Sequence, residues 1–283
     1  MNDVLLAASI LSGLGLLFGT ILAVASRLLR VDEDPRLDIL EEALPGSNCG
    51  ACGAAGCRAF AEKLLSGAAS PSGCTVSSPD TVDGIAELLG VSAGDAVKRV
   101  ARLHCAGGTA EARQLATYAG HASCASAGVA GGGGKACPWG CFGLGDCDVA
   151  CTFDAIHMNA DGLPVVDPAK CTGCGDCVDA CPRNLFDIQP LDQRLILQCS
   201  APLAGDEAMA LCSVACDACG RCAQDAPGEL VRIVNNLPVI DYAKGGPASA
   251  VVAARCPTGA ITWLEGAQFA HQEPGAAPWR SHV

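Results

Sequence analysis

Aromatic residues and basic charge are both scarce in this chain. Aromatic side chains make up 4% of the 283 residues, whereas glycine and proline contribute 34 and 16 residues. This composition makes a poor large hydrophobic core, so something other than apolar burial must organise the chain. Lysine and arginine number 18 against 30 acidic residues, which gives a net charge of −12. That balance excludes a phosphate-binding surface, and we expect no nucleic-acid partner.

Motifs for catalysis and nucleotide binding are missing as well. The sequence contains no nucleophile–base pair, dinucleotide-binding glycine fingerprint or P-loop. The glycine run at residues 131–134 follows no predicted strand and lacks the Gly-Lys-Ser/Thr ending of a phosphate-binding loop. The histidines show no paired spacing; they are His104, His121, His157, His271 and His282. We therefore expect no catalytic residues and no substrate-converting site in the chain.

Cysteine, in contrast, is abundant, with 20 residues. Disulfide frameworks belong to short secreted chains, whereas zinc sites and iron–sulfur clusters both use Cys-x-x-Cys pairs in reducing compartments. A zinc-stabilised scaffold would need no redox activity, so the choice of metal decides the function. The compartment and the cysteine spacing discriminate between these alternatives.

The N-terminal segment indicates the compartment. Residues 4–25 carry no charge and would span about 33 Å as a helix. Arg27 and Arg30 follow this run and only Asp3 precedes it, so the positive-inside rule places the rest of the chain in the cytoplasm. A cleaved signal peptide would need a basic start and a small-residue cleavage site, and neither is clear here. We predict a single-pass anchor over residues 1–26 in a bacterial or archaeal cytoplasmic (inner) membrane.

A first group of cysteines follows the anchor in a segment predicted to be helical. We call these four the N-terminal set: Cys49, Cys52, Cys57 and Cys74. The glycines among them let the backbone approach closely and direct N–H groups at cluster sulfurs, which favours a 4Fe–4S cluster over zinc. Asp34-Pro35 is predicted to open one helix, and further helices are expected over residues 59–66, Pro79–Leu89 and residues 92–103.

The C-terminal half contains an internal repeat that carries most of the cysteines. Its first copy reads Cys137-x3-Cys141-x5-Cys147-x3-Cys151, then Cys171-x2-Cys174-x2-Cys177-x3-Cys181-Pro182. The run resembles that of bacterial two-cluster ferredoxins, in which the fourth cysteine ligates the other cluster. The resemblance implies one cluster on Cys137, Cys141, Cys147 and Cys181, and another on Cys151, Cys171, Cys174 and Cys177. Trp139 and Phe142 are expected to pack against the first of these clusters.

The second copy has lost half of its cysteines. Leu237-Pro-Val-Ile-Asp-Tyr-Ala-Lys-Gly245 matches Leu163-Pro-Val-Val-Asp-Pro-Ala-Lys-Cys171, so Gly245 replaces a cysteine. Ala226 stands four residues after Cys222, where the first copy has Cys151 four residues after Cys147. The losses fall on the positions that the cross-over assigns to a single cluster. We therefore expect one cluster here, on Cys216, Cys219, Cys222 and Cys256.

Four cysteines remain outside these groups. They are Cys105, Cys124, Cys199 and Cys212. Free buried thiols, which pack as small hydrophobic side chains, are one interpretation. A fifth cluster joining the two repeat copies is the other, because 20 cysteines divide into fours without remainder. The expected cofactors are four 4Fe–4S clusters, or five under this second interpretation.

These assignments give an α+β chain with one transmembrane helix, a small helical 4Fe–4S domain and tandem bacterial-ferredoxin-like domains. The predicted segments are the anchor at 1–26, an N-terminal 4Fe–4S domain at 27–104, a glycine-rich linker at 105–135, a two-cluster ferredoxin-like domain at 136–192, a degenerate one-cluster domain at 193–264 and a flexible tail at 265–283.

Three stretches resemble the B-subunit family of Rnf complexes. They are Gly15-Leu-Leu-Phe-Gly19, Leu44-Pro-Gly-Ser-Asn-Cys-Gly-Ala-Cys-Gly53 and Cys137-Pro-Trp-Gly-Cys-Phe-Gly-Leu-Gly-Asp-Cys147, the last of which resembles the longer form. The resemblance implies the electron-transfer subunit of a membrane ferredoxin:NAD oxidoreductase that moves sodium ions or protons. Expected partners are soluble ferredoxin and the other Rnf subunits, including the flavin- and NAD-binding one. A membrane-anchored polyferredoxin of another reductase is the alternative.

Overall fold

The computed structural model describes residues 2–28, 34–95, 97–245 and 247–269. Its first element is a single long helix, α1 (Asn2–Leu28). Within it, Ile10–Leu28 is long and apolar enough to cross a membrane, and large side chains such as Leu11 and Phe18 are exposed. The predicted anchor coincides with this helix, and its length and composition are consistent with membrane association.

A small helical unit follows α1. It consists of α2 (Arg36–Ala43), α3 (Cys57–Leu65) and α4 (Pro79–Leu89). Helix α4 has the predicted bounds, because the Ser78 hydroxyl accepts a hydrogen bond from Thr81 N at 3.2 Å and a left-handed Gly90 ends it. The core of the unit is formed by Leu37, Leu40, Phe60, Leu64 and Ile85.

The predicted helix over residues 92–103 is wrong. Its last part is strand β1 (Arg99–Leu103), which pairs antiparallel with β4 (Phe186–Pro190). Gly94 has a left-handed φ of +80°, which interrupts any helix there. The capping pattern at the start of the segment is a local signal, and pairing with a strand far along the chain overrides it.

The first repeat copy is built from short elements around a common core. These are α6 (Asp146–Ala150), β2 (Ile156–Met158), β3 (Pro164–Val166), α7 (Asp176–Asp179) and β4, with β2 pairing β3 antiparallel. Each helix follows a glycine in the left-handed region, Gly145 before α6 and Gly175 before α7. The side chains of Ile156, Leu163 and Phe186 are buried between these elements.

The second copy repeats this order of elements. It contains β5 (Leu195–Leu197), α8 (Gly205–Met209), α9 (Arg221–Asp225), β6 (Val231–Val234), β7 (Leu237–Ile240), α10 (Val251–Ala254) and β8 (Ile261–Trp263). Strands β6 and β7 form one antiparallel pair, and β5 and β8 form the other. The hydroxyl of Tyr242, which follows β7, links the two strand pairs. It donates to Leu195 O in β5 at 2.9 Å and accepts from Leu195 N at 2.8 Å.

The segment predicted as a linker, residues 105–135, is folded against both copies, since Thr109 N donates to Asp161 O at 2.8 Å and Ala106 N donates to Gln198 O at 2.9 Å. It contains α5 (Cys124–Val129). Lys135 Nζ donates to Gly107 O at 2.7 Å, and a β-carbon on Gly134 would come within 2.1 Å of Ala116 O. Glycine and alanine therefore serve close backbone packing here, whereas the composition alone suggested flexibility.

The start of the predicted flexible tail is also packed. Gln268 is 1% exposed, and its side chain accepts from Leu103 N at 2.9 Å and donates to Leu103 O at 3.0 Å. Phe269 packs against the core of the first copy. The prediction of flexibility is thus wrong for residues 265–269, and residues 270–283 lie outside the described residues.

Candidate functional site

All 20 cysteines lie in the described part of the chain, and all are free thiols. Sixteen of them line four cavities, with four cysteines in each. The other four lie close together in the second copy. The cysteines therefore form five sets of four, and we describe each set in turn.

The N-terminal set surrounds a cavity between Leu44 and Phe60. Asn48 holds the loop around it, because its Oδ1 accepts a hydrogen bond from Cys57 N at 2.8 Å. A β-carbon on Gly56 would lie 2.8 Å from the same oxygen, so a larger residue would push this loop apart. The structure brings together the four cysteines that were grouped from the sequence.

A second set lies in the first copy, and we call it the outer set. It consists of Cys151, Cys171, Cys174 and Cys177. Ala155 forms part of the cavity wall, and its N–H donates to Cys151 Sγ at 3.4 Å. Gly173 packs closely on the first strand, since a β-carbon there would lie 3.0 Å from Arg99 O. This set too has the membership expected from the sequence.

The neighbouring cavity of the first copy differs from the expected grouping. Its thiols, which we call the inner set, are Cys124, Cys141, Cys147 and Cys181. Cys124 stands where Cys137 was expected. Asp146 explains this placement, because its carboxylate accepts hydrogen bonds from Cys124 N at 2.9 Å and Ala125 N at 3.0 Å and so fixes the start of α5 at this cavity.

Cys137 belongs instead to a set at the junction of the two copies, which we call the central set. Its members are Cys105, Cys137, Cys199 and Cys212. A turn at residues 137–140 separates Cys137 from Cys141, with Gly140 N donating to Cys137 O at 3.3 Å. The two cysteines therefore face different cavities. The sequence had placed Cys124 in this fifth group and Cys137 in the inner set. The structure exchanges the two cysteines.

The C-terminal set has the expected membership: Cys216, Cys219, Cys222 and Cys256. Cys256 packs with Cys216 in one apolar cluster and with Cys222 in another. Cys219 is close enough to Cys222 for its thiolate charge to raise the pKa of the Cys222 thiol. Cys219 is the one exposed cysteine of the twenty, so this set has an edge at the surface.

Apolar side chains fill the position of the missing set in the second copy. Leu230 precedes β6 as Ala155 precedes β2, and it is 0% exposed. Val252, the second residue of α10, stands where α7 has Cys177, and it is 1% exposed. A β-carbon on Gly245 would lie 2.3 Å from Leu230 Cβ. The loss of four cysteines is thus matched by closure of the space between them.

Burial raises the pKa of most of these thiols. The pKa of Cys141 and of Cys177 rises to about 12, and that of Cys212 and of Cys216 to about 11. Burial is the larger cause, and repulsion from neighbouring cysteine thiolates adds to it. Such thiols stay protonated at neutral pH unless a bound cation stabilises the thiolate, so metal binding must release protons.

The arrangement of the thiols fits a cluster better than a single ion. Among the described residues, no three His, Cys, Asp or Glu side chains converge on one point as zinc ligands must. The thiols instead line four cavities, with four thiols around each. Four thiolates around such a space match a 4Fe–4S cluster, in which each iron takes one cysteine.

Histidine and aromatic residues have structural roles at these sites. His104 binds Asp187 Oδ1 through Nε2 at 3.0 Å and contacts Leu197 O through Nδ1 at 2.7 Å, which fixes the end of β1. Trp139 lines the central cavity and Phe142 the inner one. His121 and His157 are exposed, and the remaining two histidines lie outside the described residues. Sequence reasoning missed Asp146, although its position directly before Cys147 was visible.

Comparisons with known proteins agree with this chemistry. A family model for an Fe–S cluster matches residues 44–76, and one for a 4Fe–4S binding domain matches residues 163–186. The chain is 40% identical to the B subunit of the Na⁺-translocating ferredoxin:NAD⁺ oxidoreductase complex of Acetobacterium woodii, over 86% of this chain and 73% of that protein. It is 35% identical to the B subunit of the ion-translocating oxidoreductase complex of Methanosarcina acetivorans, over 92% and 99% of the two chains. It is 36% identical to the B subunit of the proton-translocating ferredoxin:NAD⁺ oxidoreductase complex of Clostridium ljungdahlii, over 92% of this chain and 93% of that protein. The chain therefore belongs to the iron–sulfur family formed by the B subunits of the Rnf ion-translocating oxidoreductase complexes.

Proposed function

We propose that this chain is the multi-cluster electron-transfer subunit of a membrane ion-translocating ferredoxin:NAD oxidoreductase. The observation that carries the proposal is the convergence of cysteines from separate stretches of sequence into sets of four around small cavities. The names of the relatives supply the reaction, and the apolar helix α1 supplies a means of membrane attachment.

Four of the sets are assigned one 4Fe–4S cluster each: the N-terminal, outer, inner and C-terminal sets. When bound, such clusters supply one-electron transfer at potentials that the surrounding protein tunes. The chain contributes the thiolates, the N–H groups directed at sulfur and the exclusion of water. The two repeat copies are then tandem ferredoxin-like units, of which the second keeps a single cluster because Leu230 and Val252 close the other space.

Electron exchange with soluble ferredoxin is proposed at the C-terminal set. Cys219 is exposed there, so a docked partner could approach this set more closely than any buried one. Arg221 is exposed, and its positive charge acts to lower the pKa of the nearby Cys219 thiol. It is therefore a local cation in a chain whose net charge is −12. The remaining proposed partners are the other Rnf subunits, including the flavin- and NAD-binding one, with the cluster domains on the cytoplasmic side.

Purification of the tagged full-length chain from membranes tests this proposal. We expect a brown protein whose visible absorbance bleaches with dithionite and with reduced ferredoxin, and which co-purifies with a flavin- and NAD-binding subunit. A colourless zinc protein would contradict the iron–sulfur assignment, because zinc thiolates have no such absorbance. A brown protein that co-purifies with a different reductase would instead identify it as a membrane-anchored polyferredoxin.

A further inference from the structure

We infer that the central set holds a further 4Fe–4S cluster, placed between the two repeat copies. The inference rests on the proposed iron–sulfur function but assigns a site that lies outside both matched family models. Its four thiolates would come from Cys105, Cys137, Cys199 and Cys212.

The members of the central set come from four separate parts of the chain. Cys105 follows β1, Cys137 lies between α5 and α6, Cys199 follows β5 and Cys212 follows α8. Both β1 and β5 end at this point, so each copy contributes the residue just beyond a paired strand. Isolated thiols that merely fill a core would have no reason to meet in this way.

The thiols also leave a space between them. The four thiols line a single cavity, as do the thiols of the N-terminal, outer and inner sets. Its remaining wall is mostly apolar, with Trp139, Leu211 and Val214 around the thiols. Buried cysteines acting as small hydrophobic residues would pack together and close such a space, as Leu230 does in the second copy.

Backbone groups from the sets on either side lie beside the sulfurs of the central set. Cys141, a member of the inner set, donates its N–H to Cys105 Sγ at 3.4 Å. The backbone of Cys216, a member of the C-terminal set, lies beside the Cys199 thiol and acts against the effect of burial on its pKa, and the two residues pack in one buried cluster. Hydrogen bonds such as the one from Cys141 stabilise cluster sulfurs and tune cluster potentials. Gly107 permits the close approach of Cys212, since a β-carbon there would lie 3.0 Å from its Sγ.

These contacts place the central set between the inner set of the first copy and the C-terminal set of the second copy. The outer and inner sets are neighbours in the first copy, where the charge of Cys177 acts on Cys147. The inner set touches the central set through Cys141, which donates to Cys105 Sγ, and the central set packs with the C-terminal set through Cys216, which lies in one buried cluster with Cys199 and Cys212. A cluster in the central set would therefore lie between the redox groups of the two copies and in contact with the sets on both sides.

Iron content and electron paramagnetic resonance (EPR) of the full-length chain in its complex test the inference. The wild-type chain should contain about twenty irons if all five sets are loaded, and about sixteen if the central set is a group of free thiols. The double variant Cys199→Ala/Cys212→Ala should lose about four irons and one reduced-state EPR signal. The matched control Ser200→Ala, which changes a cavity-lining residue that is no ligand, should lose none.

Two cross-paired variants test the exchange of Cys124 and Cys137. With the membership seen here, Cys137→Ala/Cys212→Ala damages one cluster and should cost about four irons, whereas Cys124→Ala/Cys212→Ala damages two and should cost about eight. The grouping expected from sequence spacing reverses these two losses. That reversal would overturn the membership of the central set.

The failure of this inference can be distinguished from the failure of the proposed function. A wild-type chain with about sixteen irons, together with an unchanged EPR spectrum in Cys199→Ala/Cys212→Ala, would overturn the central cluster and leave the other four in place. A wild-type chain without iron would overturn both. If the double variants do not fold, the wild-type count of irons still decides between the two outcomes.

Discussion

Leu230 lies so close to Gly245 that a β-carbon on the glycine would come within 2.3 Å of the leucine Cβ. In the first copy the corresponding pair is Ala155 and Cys171, and both line the outer cavity. A small residue facing a cysteine keeps the cavity open, whereas a leucine facing a glycine fills it. This pair thus contributes to closing, in the second copy, the space that the outer set surrounds in the first.

We predict that Ala155→Leu removes the outer cluster. The added side chain would extend into the cavity that the four thiols already line, so cluster and leucine could not both fit. Iron content should fall by about four per chain. The control is Ile156→Leu, which conserves volume at a buried neighbour and should keep the iron. Full iron content in Ala155→Leu would show that the cluster is not in this cavity.

A second prediction concerns Asp146 as a positioning residue for Cys124. Its carboxylate accepts from Cys124 N, Ala125 N and, at 3.1 Å, Ser123 Oγ. Removing it in Asp146→Ala should cost about 0.5–2 kcal/mol of local stability, as for other lost helix caps. We expect the inner cluster to lose iron to a chelator several-fold faster, while the other clusters are unaffected.

The control for this variant is Asp179→Ala, which removes an exposed carboxylate from α7 of the same copy. It should leave the rate of iron loss unchanged. If Asp146→Ala and Asp179→Ala behave alike, Asp146 does not position a ligand. Selective loss of the inner-set EPR signal in Asp146→Ala would show that Asp146 positions the ligands of the inner set.

The sequence predicted those cysteine groups that are held by local spacing. Each of the N-terminal, outer and C-terminal sets contains a Cys-x2-Cys pair in a short loop, which is a local property. The distant members Cys151 and Cys256 followed from the ferredoxin cross-over and its repetition in the second copy. The inner and central sets depend on how residues 105–135 fold back, which is a tertiary property. Asp146 fixes α5 through bonds across 22 residues, and no spacing rule contains that information.

Two of the incorrect structural predictions share a physical cause. Residues 92–103 carry a helix-capping pattern, but β1 forms because Leu103 and its neighbours pair with a strand more than eighty residues later. The glycine-rich segment was expected to be flexible, but Gly134 is used for close contact with Ala116 O. In both cases long-range packing determines the conformation where local propensity is weak.

We predict that Arg221→Glu slows electron exchange with soluble ferredoxin without removing iron. Arg221 is exposed beside Cys219, and the net charge of −12 would otherwise repel an acidic partner. The rate constant of ferredoxin oxidation should fall several-fold at low ionic strength, and added salt should narrow the difference. Arg232→Glu makes the same charge change on exposed β6 and should have a smaller effect. Equal effects would place the docking surface elsewhere.

The last prediction concerns the pH dependence contributed by His104. Burial lowers the pKa of His104, but the hydrogen bond and charge of Asp187, together with the Leu197 carbonyl, outweigh burial and raise it above 6.5. A raised folded-state pKa gives stability that is fully present below the unfolded value and is lost as pH rises through the folded one. The pKa of Asp187 is lowered from 3.8, so its contribution disappears only in acid, as pH falls through the lowered value.

His104→Gln should therefore lower the apparent unfolding temperature of the loaded chain at about pH 6, by about 2–4 °C, and have less effect at about pH 9. Thermal unfolding followed by the loss of visible absorbance measures this difference. His157→Gln is the matched control, because His157 is half exposed and lies 3.5 Å from an exposed Asp154, where solvent screens the charges. A pH-independent loss in His104→Gln would mean that the imidazole stabilises β1 through its hydrogen bonds alone, without a contribution from its charge.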